Sequence, residues 1–248
     1  MEYLRWAPVY GRIREEFGFS WDREESAADR LVELLPPAAL DRPLERLGAR
    51  LRGKEVVVVG LAPRAGPPPL WRQPFTTGGV AVVAADGATA TCLEAGIIPD
   101  VIVTDLDGPV PSEVNANRRG ALVVVHAHGD NRALLDEWVP QFPGELAGSW
   151  AGPPRGGLLD EGGFTDGDRA AYLAEAAGAA RLLLWGFDLE HAVEPDPSAR
   201  LRKEAKLRWA ARALAELVAS SPTPVVTWNR DGTLSPYKAA GIDGASTR

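Results

Sequence analysis

The chain of 248 residues contains one cysteine, Cys92, and three histidines. A single thiol cannot close an internal disulfide, and it cannot furnish a cysteine-based zinc site. Lysine is confined to positions 54, 203, 206 and 238. Basic charge is outweighed, leaving a formal net charge of −7, which disfavours nonspecific nucleic-acid binding. No apolar run approaches the ~18 residues that a membrane-spanning helix requires. The opening MEYLRWAPVYGRIREEF is too charged and too interrupted for a secretory signal. These absences predict a cytoplasmic protein with neither a nucleic-acid nor a membrane partner.

Two nucleotide signatures are missing as well. There is no Gly-x-x-x-x-Gly-Lys-Ser/Thr loop, and the first strand-like run leads into Gly60-Leu61-Ala62-Pro63-Arg64-Ala65-Gly66, which lacks Gly-x-Gly-x-x-Gly and carries a proline. A dehydrogenase is therefore disfavoured.

What is present is an ordinary globular composition, 45% hydrophobic and 25% charged, over a length suited to one α/β domain with a small extra unit. Residues 1–52 are predicted to form a helical N-terminal subdomain, and 53–248 an α/β nucleotide-binding domain. In the first part Ser20 or Asp22 caps a helix carrying Ala27, Leu31, Leu34 and Leu35. Pro36-Pro37 ends it, and Asp41 opens a short helix with Leu44, Leu47 and Leu51. The pattern then changes. Val56–Val59, Val80–Ala84, Val101–Val103, Leu122–Val125, Leu182–Trp185 and Val225–Thr227 are near-continuous apolar runs. Such runs suit strands buried on both faces of a parallel sheet. Helices are predicted between them at Ala88–Ala95, Ser112–Arg118, Asn131–Val139, Gly167–Ala177 and Leu201–Ala219. The alternation predicts a doubly wound, mainly parallel, Rossmann-like α/β fold. The stretches Ala62–Gly79 and Gly148–Gly163 are expected to be long connections of the kind that form lids or binding loops.

Ligands of open parallel sheets bind beyond the carboxyl ends of the strands. Those ends carry Asp86-Gly87, Asp105-Leu106-Asp107, His126-Ala127-His128-Gly129-Asp130-Asn131 and Gly186-Phe187-Asp188, and a loop Gly162–Asp168 precedes a further helix. A lone aspartate at a strand end is usually a helix cap. Several converging carboxylates repel one another unless a cation joins them, and hard oxygen donors suit magnesium. Asp105 and Asp107 are two apart, so in an extended segment both point the same way. His126-x-His128-x-Asp130 matches the start of the metal motif of metallo-β-lactamase-like hydrolases. Asn131 stands where the next histidine belongs, and only His191 remains elsewhere. A zinc hydrolase is therefore poorly supplied with ligands. His126 is the histidine more suited to packing within the strand end.

The series Ala85-Asp86-Gly87-Ala88, Pro99-Asp100 and Thr104-Asp105-Leu106-Asp107-Gly108 resembles that of thiamine pyrophosphokinases. It is still more similar to the archaeal 6-hydroxymethyl-7,8-dihydropterin pyrophosphokinase family, called MptE-like. That resemblance extends through His126–Asn131, Gly162–Asp168 with Arg169, Gly186-Phe187-Asp188, Lys203 and Lys206-Leu207, and to Trp6, Tyr10 and Phe17–Ser20. It implies ATP-dependent transfer of diphosphate to a pterin hydroxymethyl group, release of AMP, a magnesium ion and a homodimer, in pterin-cofactor biosynthesis. The metal ligands it implies are Asp105, Asp107 and Asp130, with Asp130 or Asp168 adding a ligand or accepting the hydroxyl proton, and His128 at the reacting centre. Nucleotide-binding positions would be Asp86, Gly87, Gly163, Thr165, Asp166, Asp168, Arg169, Gly186, Asp188, Lys203 and Lys206. Trp185, Phe164 or Phe187 would stack on the pterin. A thiamine acceptor and a nucleotide-sugar transferase module are the alternative readings; AMP release from ATP separates a diphosphokinase from the latter.

Overall fold

The computed structural model describes residues 3–62, 66–70, 78–229 and 231–238. Four helices lead: α1 (Tyr3–Phe17), α2 (Trp21–Leu34), α3 (Pro37–Leu40) and α4 (Pro43–Leu51). Then come β1 (Glu55–Val59), β2 (Val80–Ala85), α5 (Ala88–Glu94), β3 (Val101–Thr104), α6 (Val110–Arg118), β4 (Leu122–Ala127), α7 (Arg132–Trp138) and β5 (Leu146–Trp150). The chain closes with α8 (Asp166–Ala176), β6 (Arg181–Trp185), α9 (Pro197–Ser220), β7 (Val225–Trp228) and β8 (Leu234–Pro236). No helix among the described residues is long and apolar enough to cross a membrane.

The strands form one sheet ordered β5-β4-β3-β2-β1-β6-β7-β8. All neighbours are parallel except the β7–β8 pair. The strand order reverses between β1 and β6, which opens a crevice at their carboxyl ends. Strand periodicity divides the core. Val56 and Val58 join the cluster that holds Trp6, Leu47, Tyr172 and Trp209, so α1, α4, α8 and α9 cover that face. Val57 and Val59 point the other way, towards Ala88 and Cys92 of α5. Further along that second face Ile102, Val123 and Val125 pack under α2, α6 and α7. Burial on both faces explains why these strands read as continuous apolar runs.

Two strands depart from the sequence expectation. Residues 148–150 belong to β5, not to a long connection, and β8 is an additional antiparallel edge. β5 reads Leu-Ala-Gly-Ser-Trp because the end of α2 and the segment after β5 press on it: a Cβ on Gly148 would lie 2.4 Å from Leu158, 2.7 Å from Leu35 just after α2, and 3.1 Å from Leu31 of α2. The strand is built by tertiary packing and carries little β propensity of its own. Helix α9 begins four residues before the apolar pattern does, because Asp196 accepts the Ala199 N–H at 2.7 Å and Pro197 occupies the first turn. Residues 63–65 of the turn after β1, and 71–77 of the expected loop that follows, lie outside the described residues.

Candidate functional site

The carboxyl ends of β1, β2, β3, β4 and β6 meet at a cavity of about 560 Å³. At its floor Asp86, Asp105 and Asp107 each offer an oxygen, and these atoms lie within 4.8 Å of one another. Backbone geometry produces this convergence. Asp86 follows β2 with φ +42°, and its N–H donates to the Val103 carbonyl at 2.8 Å. Asp105 and Asp107 do not share an extended segment: Leu106 between them has φ +70°. A left-handed leucine is unfavourable by itself. It is held because its side chain is buried in the core and its N–H donates to Thr104 Oγ1 at 2.9 Å. The tight turn thus achieves what an extended pair was expected to do. Gly108 completes the turn; a Cβ there would sit 2.3 Å from an Asp86 carboxylate oxygen.

The electrostatics match a charge-loaded site. Burial opposes ionisation of Asp105, but the hydrogen bond and charge of His128 and the Asp107 N–H outweigh it and hold the carboxyl at about 2. Burial and then the charges of Asp105 and Asp86 push Asp107 up to about 6, with Lys206 opposing. Asp86 is raised chiefly by burial. Behind it Glu113, fully buried, is driven up to about 9 by burial and by the Asp86 charge, and therefore keeps its proton at neutral pH. Asp166, at the start of α8, also lines the cavity and is raised by burial and by the charges of Asp105 and Asp86. Like charges held this close favour a bound cation. Three carboxylate oxygens form a hard donor set that can hold a metal ion.

The histidines take separate places. His126 is buried, and its Nδ1 lies 3.0 Å from Ser149 Oγ. Burial holds its imidazole well below the usual histidine range. His128 faces the cavity with Nε2 3.4 Å from Asp105 Oδ2. His191 lies after β6, with Nδ1 3.1 Å from Asp188 Oδ1. Asn131 is a brace: its amide donates to the Asp105 carbonyl at 2.8 Å and to the His126 carbonyl at 2.7 Å, and its oxygen accepts the His128 N–H at 3.0 Å.

The other expected site residues divide. Gly87, Thr165, Gly186, Asp188, Lys203 and Lys206 line the cavity. Asp130 lines it too, but stands outside the carboxylate triplet and pairs with Arg23 at 3.0 Å. Asp86, expected at the nucleotide, is the third member. Asp168 is fully buried, and its carboxylate caps α8 by accepting the Phe164 and Thr165 N–H groups at 2.6 and 2.8 Å. Gly163 has φ +90°, and a Cβ there would meet Arg169 Cα at 2.4 Å, so glycine is needed for close approach. Arg169 lines the cavity while its terminal nitrogens donate to the Gly163 and Phe164 carbonyls, both at 3.1 Å. Phe164 and Phe187 border the cavity, whereas Trp185 packs edge-on against Trp228 with ring centroids 5.3 Å apart.

The cavity wall also contains Phe19 and Glu24, which sequence reasoning did not single out as site residues. A signal existed for Glu24. With Ala27, Ala28 and Leu31 it falls on the apolar stripe of α2, where an acid is out of place. A second cavity, of about 780 Å³, lies beyond β6 between α9 and β7 and shares Ala62, Gly186, Phe187, Asp188, Leu189 and His191 with the first.

Residues 75–194 match the family described as 6-hydroxymethylpterin diphosphokinase MptE-like. The chain is 35% identical to the 6-hydroxymethyl-7,8-dihydropterin pyrophosphokinase of Methanothermobacter thermautotrophicus over 237 residues, covering 92% of this chain and all of that relative. The enzyme of the same name from Pyrococcus furiosus is 42% identical over 188 residues, 76% of this chain and 78% of its own length. That of Methanocaldococcus jannaschii is 35% identical over 202 residues, 76% and 80% of the two chains.

Proposed function

Since the chain belongs to the MptE-like 6-hydroxymethylpterin diphosphokinase family, we propose that it moves the β and γ phosphates of ATP together onto the hydroxymethyl group of 6-hydroxymethyl-7,8-dihydropterin. The observation that carries this reading is the triplet Asp86, Asp105 and Asp107 at the floor of a cavity at the strand carboxyl ends. When bound, magnesium on this triplet would neutralise charge along the triphosphate.

The chain's own groups supply the rest. The turns after β1 and β6 flank the crevice where the strand order reverses, the usual place for a nucleotide. Lys203 and Lys206 of α9 bring positive charge to the same cavity, where it favours phosphate. Asp130, a carboxylate on the same cavity, is the group at hand to take the acceptor's proton, while His128 stays beside Asp105. In the step itself the hydroxyl oxygen bonds to the β-phosphorus. The bond from that phosphorus to the oxygen bridging the α-phosphate breaks, the electron pair leaves with AMP, and the hydroxyl proton passes to the protein.

The test uses γ-labelled ATP, magnesium and 6-hydroxymethyl-7,8-dihydropterin with the purified protein. Label is expected in the pterin diphosphate, with one equivalent of AMP. Formation of ADP and a pterin monophosphate instead would make the protein an ordinary kinase and overturn the reading.

A further inference from the structure

Glu24 is 3% exposed, in the first turn of α2, and it opens on the same cavity as the carboxylate triplet. Its Oε2 has no partner among the described residues. A buried carboxylate oxygen left unanswered is unfavourable unless a ligand satisfies it. Arg169, 4% exposed on the same cavity, has an Nε that likewise finds no partner among the described residues. The position of Glu24 is set by close packing: a Cβ on Gly129 would lie 3.3 Å from the Glu24 nitrogen, and Arg23 pairs with Asp130 at 3.0 Å. The first turn of α2 is thereby seated on the tip of the loop that carries His128. Flat apolar surface is supplied alongside by Phe19 and Phe164, whose ring centroids are 6.4 Å apart.

An acceptor oxygen pair beside a donor calls for a flat ring whose edge presents two donors and then an acceptor. The pterin edge does so with its 2-amino group, N3–H and 4-oxo oxygen. Adenine and the aminopyrimidine of thiamine do not: each sets an amino group beside a bare ring nitrogen, whose lone pair would face the carboxylate. We propose that Glu24 selects the acceptor ring, its carboxylate accepting from the 2-amino and N3–H groups while Arg169 Nε donates to the 4-oxo oxygen. This rests on the pterin reading above and adds the residue that enforces it.

The test is calorimetric binding, without turnover, of 6-hydroxymethylpterin and of 6-hydroxymethyllumazine, in which an oxo group replaces the 2-amino group. The wild type should prefer the pterin by roughly 100-fold or more, as a site built around ring donors rejects an analogue lacking one. Glu24→Gln should lose a similar factor for the pterin and most of its preference over lumazine, while magnesium–ATP binding stays as in the wild type. A general structural defect would not exchange one ring preference for another. Equal binding of both rings by the wild type overturns the assignment, and so does wild-type pterin affinity in Glu24→Gln. If that variant fails to fold, the wild-type comparison of the two rings decides. A wild type that binds magnesium–ATP but neither ring overturns the pterin reading itself, and the Glu24 assignment with it.

Discussion

Gly108→Ala isolates the geometry of the carboxylate triplet. The added Cβ would lie 2.3 Å and 2.4 Å from the two Asp86 carboxylate oxygens and 2.6 Å from Cγ. Non-bonded carbon and oxygen need well over 3 Å, so the carboxylate must retreat by about 1 Å, in the range of optimal non-bonded separations. Gly108 has no left-handed φ, so alanine meets no backbone penalty there. The clashing atoms are the end of a short side chain, and the backbone of Asp86 stays anchored by its bond to Val103. The fold should therefore survive, at a cost of about 1–2 kcal/mol of local overpacking. The oxygen cluster should not: a displacement of about 1 Å at a reacting centre can cost on the order of 100-fold in rate. The assay is AMP release during a magnesium titration, with a thermal melt alongside. Turnover should fall by about that factor and half-saturating magnesium should rise, with little change in melting. Unchanged turnover and magnesium dependence would falsify the placement of Asp86 in the site.

Other consequences follow from the same geometry. Asp107→Asn removes a carboxylate crowded by Asp105 and Asp86, so magnesium-dependent turnover should drop by orders of magnitude while the apo protein melts no lower than wild type; wild-type rates at limiting magnesium would refute its role. His126 is buried in its neutral form. Its folded pKa lies below the unfolded one, so it contributes no pH dependence above about pH 6.5. Below that, the unfolded chain takes up a proton the fold refuses, and stability falls by about 1.4 kcal/mol per pH unit. Urea unfolding of wild type and His126→Gln between pH 7.5 and 5.5 should reveal this slope in their difference; the raised carboxyls of Glu113 and Asp166 act the opposite way and cancel in the comparison. Gly11 lies inside α1 with nothing among the described residues within 4 Å of an added Cβ, so Gly11→Ala should raise stability by about 0.5–1 kcal/mol, measured by denaturant midpoint.

Sequence alone determined the elements whose signal is local. Runs such as Val56–Val59 read as buried parallel strands because both faces of each strand are covered. The aspartates at the strand ends read as a rim because parallel strands bring all their carboxyl ends to one edge. Gly148–Trp150 read as loop because β5 is held by α2 and β4 and not by its own residues. Only the tertiary structure decided which acids converge. Asp86 enters the triplet and Asp130 pairs with Arg23, because the left-handed turns at Asp86 and Leu106 aim three carboxylates at one point while α2 draws the β4 loop aside. The same helix brings Glu24 across more than 100 positions of sequence to the tip of that loop. Strand propensity and spacing act over a few neighbours, whereas a binding cavity is assembled from side chains that meet only after the helices have packed on the sheet.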